Sequence, residues 1–189
     1  MDAQTVWERQ LKDIGADLQG HFRLTTGRHS SRFFMLARIS ERPHILQAWC
    51  RQLYGLVSHL GVGTFVGAAL GGILPAYAMA EVAGGRALFA NKMPDGTMQL
   101  YPGALSPGEP VMVIEDAVAT GSSIRKVIRA IEEQQGHVAA IGAFVDRGTP
   151  LAWGMPFYAV MRLAEPVPMW DAEQCPLCQK GVPLTRPKT

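Results

Sequence analysis

Glu115 and Asp116 stand side by side at the end of an apolar run, Val111-Met112-Val113-Ile114, and the hydroxyl residues Thr120, Ser122 and Ser123 follow around Gly121. A short, β-branched run of this kind reads as a strand buried on both faces of a parallel sheet. The two acids then fall at its carboxyl end, the edge at which open α/β sheets bind ligands. After Ala117, Val118 and Ala119 a helical pattern begins, with Ile124, Val127, Ile128 and Ile131 on one apolar face and Gly136 as its stop. Backbone N–H groups at a helix start have no intrahelical partner and carry the positive end of the dipole, so Thr120, Gly121, Ser122 and Ser123 form an anion-binding turn. Carboxylates next to an anion need a separate purpose: binding sugar hydroxyls, holding a divalent metal, or stabilising transient positive charge. The plainer alternative is a capped strand-to-helix turn without a ligand.

A second turn has the same design. Ala68-Ala69-Leu70-Gly71-Gly72 follows an apolar stretch and precedes a helical one, so its bare backbone lets diphosphate oxygens approach, or simply makes a tight connection. Around these turns the pattern alternates. Helices are expected over 3–19, 43–60, 72–82 and 122–135, and strands over 62–67, 86–90, 111–115, 138–145 and 157–161. Asp95-Gly96 marks a hairpin that returns 97–101 antiparallel, and residues 22–24 and 32–36 pair around Thr26-Gly27. Strands separated by helices imply right-handed crossovers and a doubly wound, mainly parallel α/β sheet. From residue 163 onward prolines make an irregular tail.

Bulk properties narrow the class. The chain has 189 residues, 48% of them apolar, which suits one domain with a real core. Lys plus Arg number 18 against 16 Asp plus Glu, no signature of a nucleic-acid binder. No apolar stretch reaches the ~18 residues of a membrane span, and MDAQTVWERQLKD lacks the features of a signal peptide, so a cytoplasmic protein is expected. Three cysteines argue against a disulfide framework. Cys50 sits in a helical apolar pattern and reads as core. Cys175 and Cys178 form one Cys-x-x-Cys; with no second pair to complete four zinc ligands, a reduced structural turn is expected, the alternatives being a site shared by two subunits or a redox pair. His29 reads as an exposed loop histidine, and Trp153, Met155, Met169 and Trp170 as packing residues.

The apolar strand, Glu-Asp and Thr-Gly-Ser-Ser together resemble the phosphoribosyl-diphosphate (PRPP) loop of type I phosphoribosyltransferases, with Ala119 and Ser122 departing from the usual Thr-Thr-Gly-Gly-Ser. Four further segments are similar to the orotate phosphoribosyltransferases: HFRLTTGRHSSRFF (21–34) to their substrate hood, ALGGILPAYAMA (69–80) to their diphosphate loop and its helix, FVDRG (144–148) to a strand end with an orotate-contacting arginine, and CPLCQKGVPL (175–184) to the tail of one bacterial and archaeal branch. The resemblance runs in register from residue 21 to the end. It departs between Phe89 and Pro110, where the family has a cation-rich loop that closes over PRPP from the neighbouring subunit; here Lys92 is the only basic residue, and Tyr101 and Pro102 stand where an Arg-Arg pair is usual.

The resemblance implies one phosphoribosyltransferase domain over 1–189, with a hood at 1–40, a core sheet at 41–165 and a tail at 166–189. It implies Mg²⁺-dependent transfer from PRPP to orotate by a homodimer, in pyrimidine biosynthesis. Lys92 and Asp116 would be catalytic. PRPP would lie on Ala69, Leu70, Gly71, Gly72, Lys92, Glu115, Asp116 and the stretch Ala117, Val118, Ala119, Thr120, Gly121, Ser122, Ser123. Orotate would meet Thr26, Gly27, Arg28, Phe34, Thr120 and Arg147, the last offering a bidentate guanidinium to its carboxylate. Mg²⁺ would be held mainly by PRPP oxygens, without a set of protein ligands. A PRPP- or nucleotide-sensing protein with weak or no chemistry, or an enzyme for another base, are the alternatives.

Overall fold

The computed structural model describes residues 3–24 and 26–187. Thr25 of the expected hood, and the terminal residues 1–2 and 188–189, lie outside the described residues. The central sheet contains β3 (Thr64–Ala68), β4 (Arg86–Lys92), β5 (Met98–Tyr101), β6 (Pro110–Val118), β7 (His137–Asp146) and β8 (Phe157–Arg162), in the order β5-β4-β3-β6-β7-β8. All neighbours are parallel except β4 and β5, which form the antiparallel hairpin expected around Asp95-Gly96. Helices α3 (Pro43–Val57), α4 (Ile73–Ala83) and α5 (Ser122–Glu133) cover the sheet.

The pleat divides the core into two. Phe65, Met112 and Ile114 face Trp49, Cys50, Leu53 and Met79 of α3 and α4, whereas Val66, Val111 and Val113 face Ile124, Val127 and Ile131 of α5. Both faces are covered, which is why β6 reads as a continuous apolar run. Cys50 is fully buried, as its helical spacing predicts. Among the described residues no helix is long and apolar enough to cross a membrane.

A second, smaller sheet flanks the first. It consists of β1 (Asp17–Arg23), β2 (His29–Phe34) and β9 (Met169–Trp170), all antiparallel. Three expectations are corrected here. The helix expected over 3–19 ends as α1 (Ala3–Asp13): the chain turns through Gly15 at φ 68°, and residues 17–19 pair with β2 instead, anchored by the buried Asp17 accepting two hydrogen bonds from Arg32 at 2.7 and 2.8 Å. The tail is not wholly irregular, because it supplies β9 and the short α6 (Pro176–Gln179), and Thr185 bridges to Phe22. His29 is not an exposed loop histidine; it begins β2 and is 4% exposed. The short α2 (Ala37–Ser40) leads from this sheet toward α3.

At the amino end of the central sheet, Glu109 fastens three segments. It accepts hydrogen bonds from the Thr64 hydroxyl at 2.6 Å, from Arg86 at 2.7 and 2.8 Å, and from the Ser106 N–H at 2.8 Å. The Thr64 hydroxyl foremost, with Ser106 and Arg86 after it, holds this carboxyl down to about 2. A carboxylate with a depressed pKa stabilises the fold above its unfolded value, and that stability is lost as pH falls through the folded one. We expect Glu109→Gln to lower the melting temperature by a few degrees near neutral pH, with the gap to the parent closing as pH falls from about 4.5 to about 2. Thermal melts over that range check it; a gap independent of pH would show that the carboxylate charge is not what matters.

Candidate active site

The chain leaves β3 for β4 through α4, and leaves β6 for β7 through α5, so two adjacent parallel strands send their crossovers in opposite directions. A crevice opens at their carboxyl ends, the position where doubly wound sheets bind ligands. Both turns singled out by the sequence meet here. The 69–72 turn follows β3, its Ala69-Leu70 peptide is cis, and Gly71 lies so close to β6 that a Cβ on it would stand 2.7 Å from Asp116 Oδ2. The next residue is held more strictly: a Cβ on Gly72 would stand 2.6 Å from the Ile114 carbonyl of β6 and 2.7 Å from the Ala68 N, so glycine there lets the turn lie against that strand.

The second turn forms a hollow of about 140 Å³ lined by Glu115 and residues 117–124. Gly121, at φ 70°, is the N-cap of α5 and has no side chain to cap it; the Ser122 N–H donates to the Thr120 hydroxyl at 3.4 Å, a long bond that an incoming anion can replace. The positive φ favours glycine, and a Cβ there would also collide with the Trp153 ring. Ser122, where the related loops have glycine, is exposed, and its hydroxyl lies 3.4 Å from that of Thr120. Arg125 stacks over Trp153 at 5.0 Å and closes this side.

One expectation about the acids is corrected: β6 continues to Val118, paired with Asp146 of β7, so Glu115 and Asp116 lie within the strand and not just past it. Successive strand residues point to opposite faces. Glu115 accordingly lines the small hollow, while Asp116 lines a larger, mainly apolar cleft of about 490 Å³ with Phe34, Leu36, Leu70, Gly71 and Leu74. Asp116 Oδ1 accepts the Ala117 N–H at 2.7 Å. Burial, and then the neighbouring charge of Asp116, push the Glu115 carboxyl up to about 8; burial raises Asp116 as well. The pair lacks positive charge, and a ligand that brings cations or hydroxyl donors relieves it.

Arg147 follows β7. The acid before it, Asp146, is used elsewhere: it accepts from Arg162 at 2.7 Å and from the Gly148 N–H at 3.0 Å. Arg147 is half-buried, its Nε has no hydrogen-bond partner among the described residues, and burial followed by the charge of Arg32 lowers its pKa. Its guanidinium lies 5.9 Å from the Phe34 ring, whose other near cation is Arg32 at 4.6 Å. Phe34 thus links an uncompensated guanidinium to the cleft that Asp116 lines.

Other expected site residues are not gathered here. Arg28 is turned to the tail, donating to the Met169 carbonyl at 2.7 Å and pairing with Asp171 at 3.4 Å. Gly27 lines a separate hollow with Arg23, Leu24 and Arg186, and Thr26 is exposed. Lys92, exposed at the end of β4, lines neither hollow of the crevice. Five lining residues of the larger cleft escaped the sequence reading, Met35, Leu36, Ala37, Ser40 and Leu74; the apolar ones sit at ordinary spacing and read as packing.

No family model matches the chain. An orotate phosphoribosyltransferase of Thermotoga maritima is 38% identical over 94% of this chain and 94% of its own length. The chain belongs to the orotate phosphoribosyltransferase family. The orotate phosphoribosyltransferase of Thermus thermophilus is 40% identical over 97% of this chain and 98% of its own. Among solved structures, that of orotate phosphoribosyltransferase from Aeropyrum pernix superposes with a TM-score of 0.72 at 25% identity, covering 82% of this chain and 92% of that one. The doubly wound sheet with its hood is thus the type I phosphoribosyltransferase fold, and the family's enzymes are pentosyltransferases of pyrimidine biosynthesis.

The folded chain binds the Glu115 proton more tightly than the unfolded chain does, so stability is full below about 4.5 and falls as pH rises toward about 8. Glu115→Gln, which cannot ionise, is expected to stabilise the free protein by on the order of 2–4 kcal/mol near pH 8 and by little near pH 5. Chemical denaturation at the two pH values measures the difference; equal effects at both would show that the carboxyl is not held protonated.

Proposed function

We propose that this chain transfers the phosphoribosyl group of PRPP to orotate, releasing pyrophosphate and forming orotidine 5′-monophosphate. The observation that carries the choice of base is Arg147: a half-buried guanidinium without a carboxylate partner, placed against an aromatic ring beside the sugar-binding crevice. A carboxylated planar base supplies both the missing anion and a ring face. Uncharged purines and uracil leave the guanidinium unpaired.

PRPP lies across the crevice in this reading. Its 5-phosphate takes the hollow at the start of α5, with backbone N–H groups and the hydroxyls of Thr120, Ser122 and Ser123 around it. The ribose sits over β6, where the carboxyls of Glu115 and Asp116 accept from its hydroxyls. The diphosphate runs along the bare backbone of 69–72, which the contact between Gly71 and Asp116 holds at the sugar. As the C1–O bond to diphosphate breaks and the bond to the base nitrogen forms, positive charge develops at C1, and a carboxylate beneath the ring stabilises it. The charge-poor acid pair and the open diphosphate turn fit Mg²⁺, which uses one or two carboxylates plus substrate oxygens; when bound it neutralises diphosphate charge.

A homodimer in the cytoplasm completes the reading. Leu70, Leu74 and Tyr77 are 86%, 50% and 65% exposed, an apolar stripe along the 69–72 turn and α4 suited to a second copy. The cation-poor hairpin supports a second reading, a PRPP sensor without turnover. Its tip is fixed by the Lys126 ammonium donating to the Gly96 carbonyl at 2.7 Å, and its one lysine lies outside the crevice.

Loss of orotate absorbance with PRPP and Mg²⁺ tests the proposal. Asp116→Asn is expected to reduce kcat by roughly 10²–10³. Arg147→Ala is expected to reduce kcat/KM for orotate by roughly 10–100-fold through KM, with calorimetric PRPP affinity unchanged. PRPP binding without orotate turnover in the parent would overturn the proposal, leaving a sensor or an enzyme for another base, which a screen of purines and uracil separates.

A further inference from the structure

Away from the crevice, four side chains from opposite ends of the chain converge on one point. His21 lies in β1, His29 opens β2, and Cys175 and Cys178 flank the first turn of α6. One ligand-capable atom from each lies within 4.8 Å of all the others. His21 Nε2 is 3.1 Å from His29 Nδ1, 3.4 Å from Cys175 Sγ and 3.7 Å from Cys178 Sγ, and Cys178 Sγ is 3.3 Å from His29 Nδ1. Bond lengths of about 2.0–2.1 Å to nitrogen and about 2.3 Å to sulfur give a tetrahedron with edges of roughly 3.3–3.8 Å. Those four separations fall within about 0.2 Å of that range, and all six lie within 4.8 Å.

We propose that His21, His29, Cys175 and Cys178 bind one structural zinc ion in a Cys₂His₂ site. The tautomer of His21 agrees with this. Its Nδ1 lies 2.8 Å from the Val182 carbonyl, which can only accept, so Nδ1 carries the proton and Nε2 turns a lone pair toward the centre. Without a metal, the thiols of Cys175 and Cys178 both face that acceptor, at 3.4 and 3.7 Å. Zinc replaces the two thiol protons and takes a lone pair from each of the four atoms, with His29 in the tautomer that keeps its proton on Nε2, and two thiolates balance its charge. His21, His29 and Cys175 are 2%, 4% and 0% exposed, which closes the site to solvent except at Cys178, and both cysteines are free thiols. The Cys-x-x-Cys pair thus needs neither a second cysteine pair nor a second subunit.

The site ties the hood to the tail. The same junction contains the β2–β9 pairing, the Ser30 hydroxyl donating to the Pro168 carbonyl at 2.9 Å, and the exchange of backbone bonds between Thr185 and residues 21 and 23 at 2.8 and 2.9 Å.

Elemental analysis of the full chain, purified without chelator, is expected to find one zinc per chain. Cobalt(II) loaded into the metal-free protein is expected to give the intense visible bands of a tetrahedral thiolate site. Cys178→Ser and His29→Ala should each cut zinc content at least tenfold, whereas Cys50→Ala, outside the cluster, should leave it unchanged. Zinc below one-tenth per chain after reconstitution, a six-coordinate cobalt spectrum, or a Cys175–Cys178 disulfide found by thiol titration of freshly isolated protein would overturn the proposal. Should the variants fail to fold, the stoichiometry and cobalt spectrum of the parent decide alone.

Discussion

Everything at the crevice depends on the parallel pairing of β3 with β6. That pairing brings the turn after one strand against the other, closely enough that a side chain at position 72 would meet the Ile114 carbonyl, and sets Gly71 beside the Asp116 carboxyl. It also fixes the division of labour between neighbouring carboxyls. The pleat sends Glu115 toward the hollow below α5 and Asp116 toward the apolar cleft, so two residues adjacent in sequence serve different parts of one ligand. Packing on both faces of β6 supplies the rigidity; α3 and α4 hold one side and α5 the other.

The same packing sets the electrostatics. Carboxyls at the end of a strand buried on both sides are desolvated, and desolvation raises their affinity for protons. Arg147 is the converse case, a half-buried guanidinium whose Nε has no partner among the described residues, while the neighbouring Asp146 is bound to Arg162. The free protein thus holds an unpaired guanidinium and carboxyls that favour their protonated form within one crevice. Part of the cost of desolvating a charged substrate is met in advance by groups that have already lost their own water.

Much of this was legible in the sequence because it is local. The apolar run, the acids, the hydroxyl turn and the amphipathic period of α5 all fall within residues 111–131, where spacing alone dictates strand, turn and helix. The β4–β5 hairpin was readable from Asp95-Gly96 for the same reason. What escaped was non-local. Residues 17–19 carry no strong strand pattern and take that form because β2 offers them partners. His21 and Cys175 are 154 positions apart, and nothing in either neighbourhood announces the other. Arg28 and Phe34, close in sequence and read as one substrate-binding unit, have separate partners because they stand at opposite ends of β2.

The hood has a further property that concerns the order of synthesis. β1 and β2 leave the ribosome early, yet the third strand of their sheet is Met169–Trp170, and Thr185 completes the edge of β1. At about 5–20 residues per second, translation separates Ser30 from Met169 by on the order of ten seconds. During that interval the central sheet has its strands in hand while the hairpin waits with an unpaired edge. The β1–β2 hairpin is therefore made before the central sheet and finished after it.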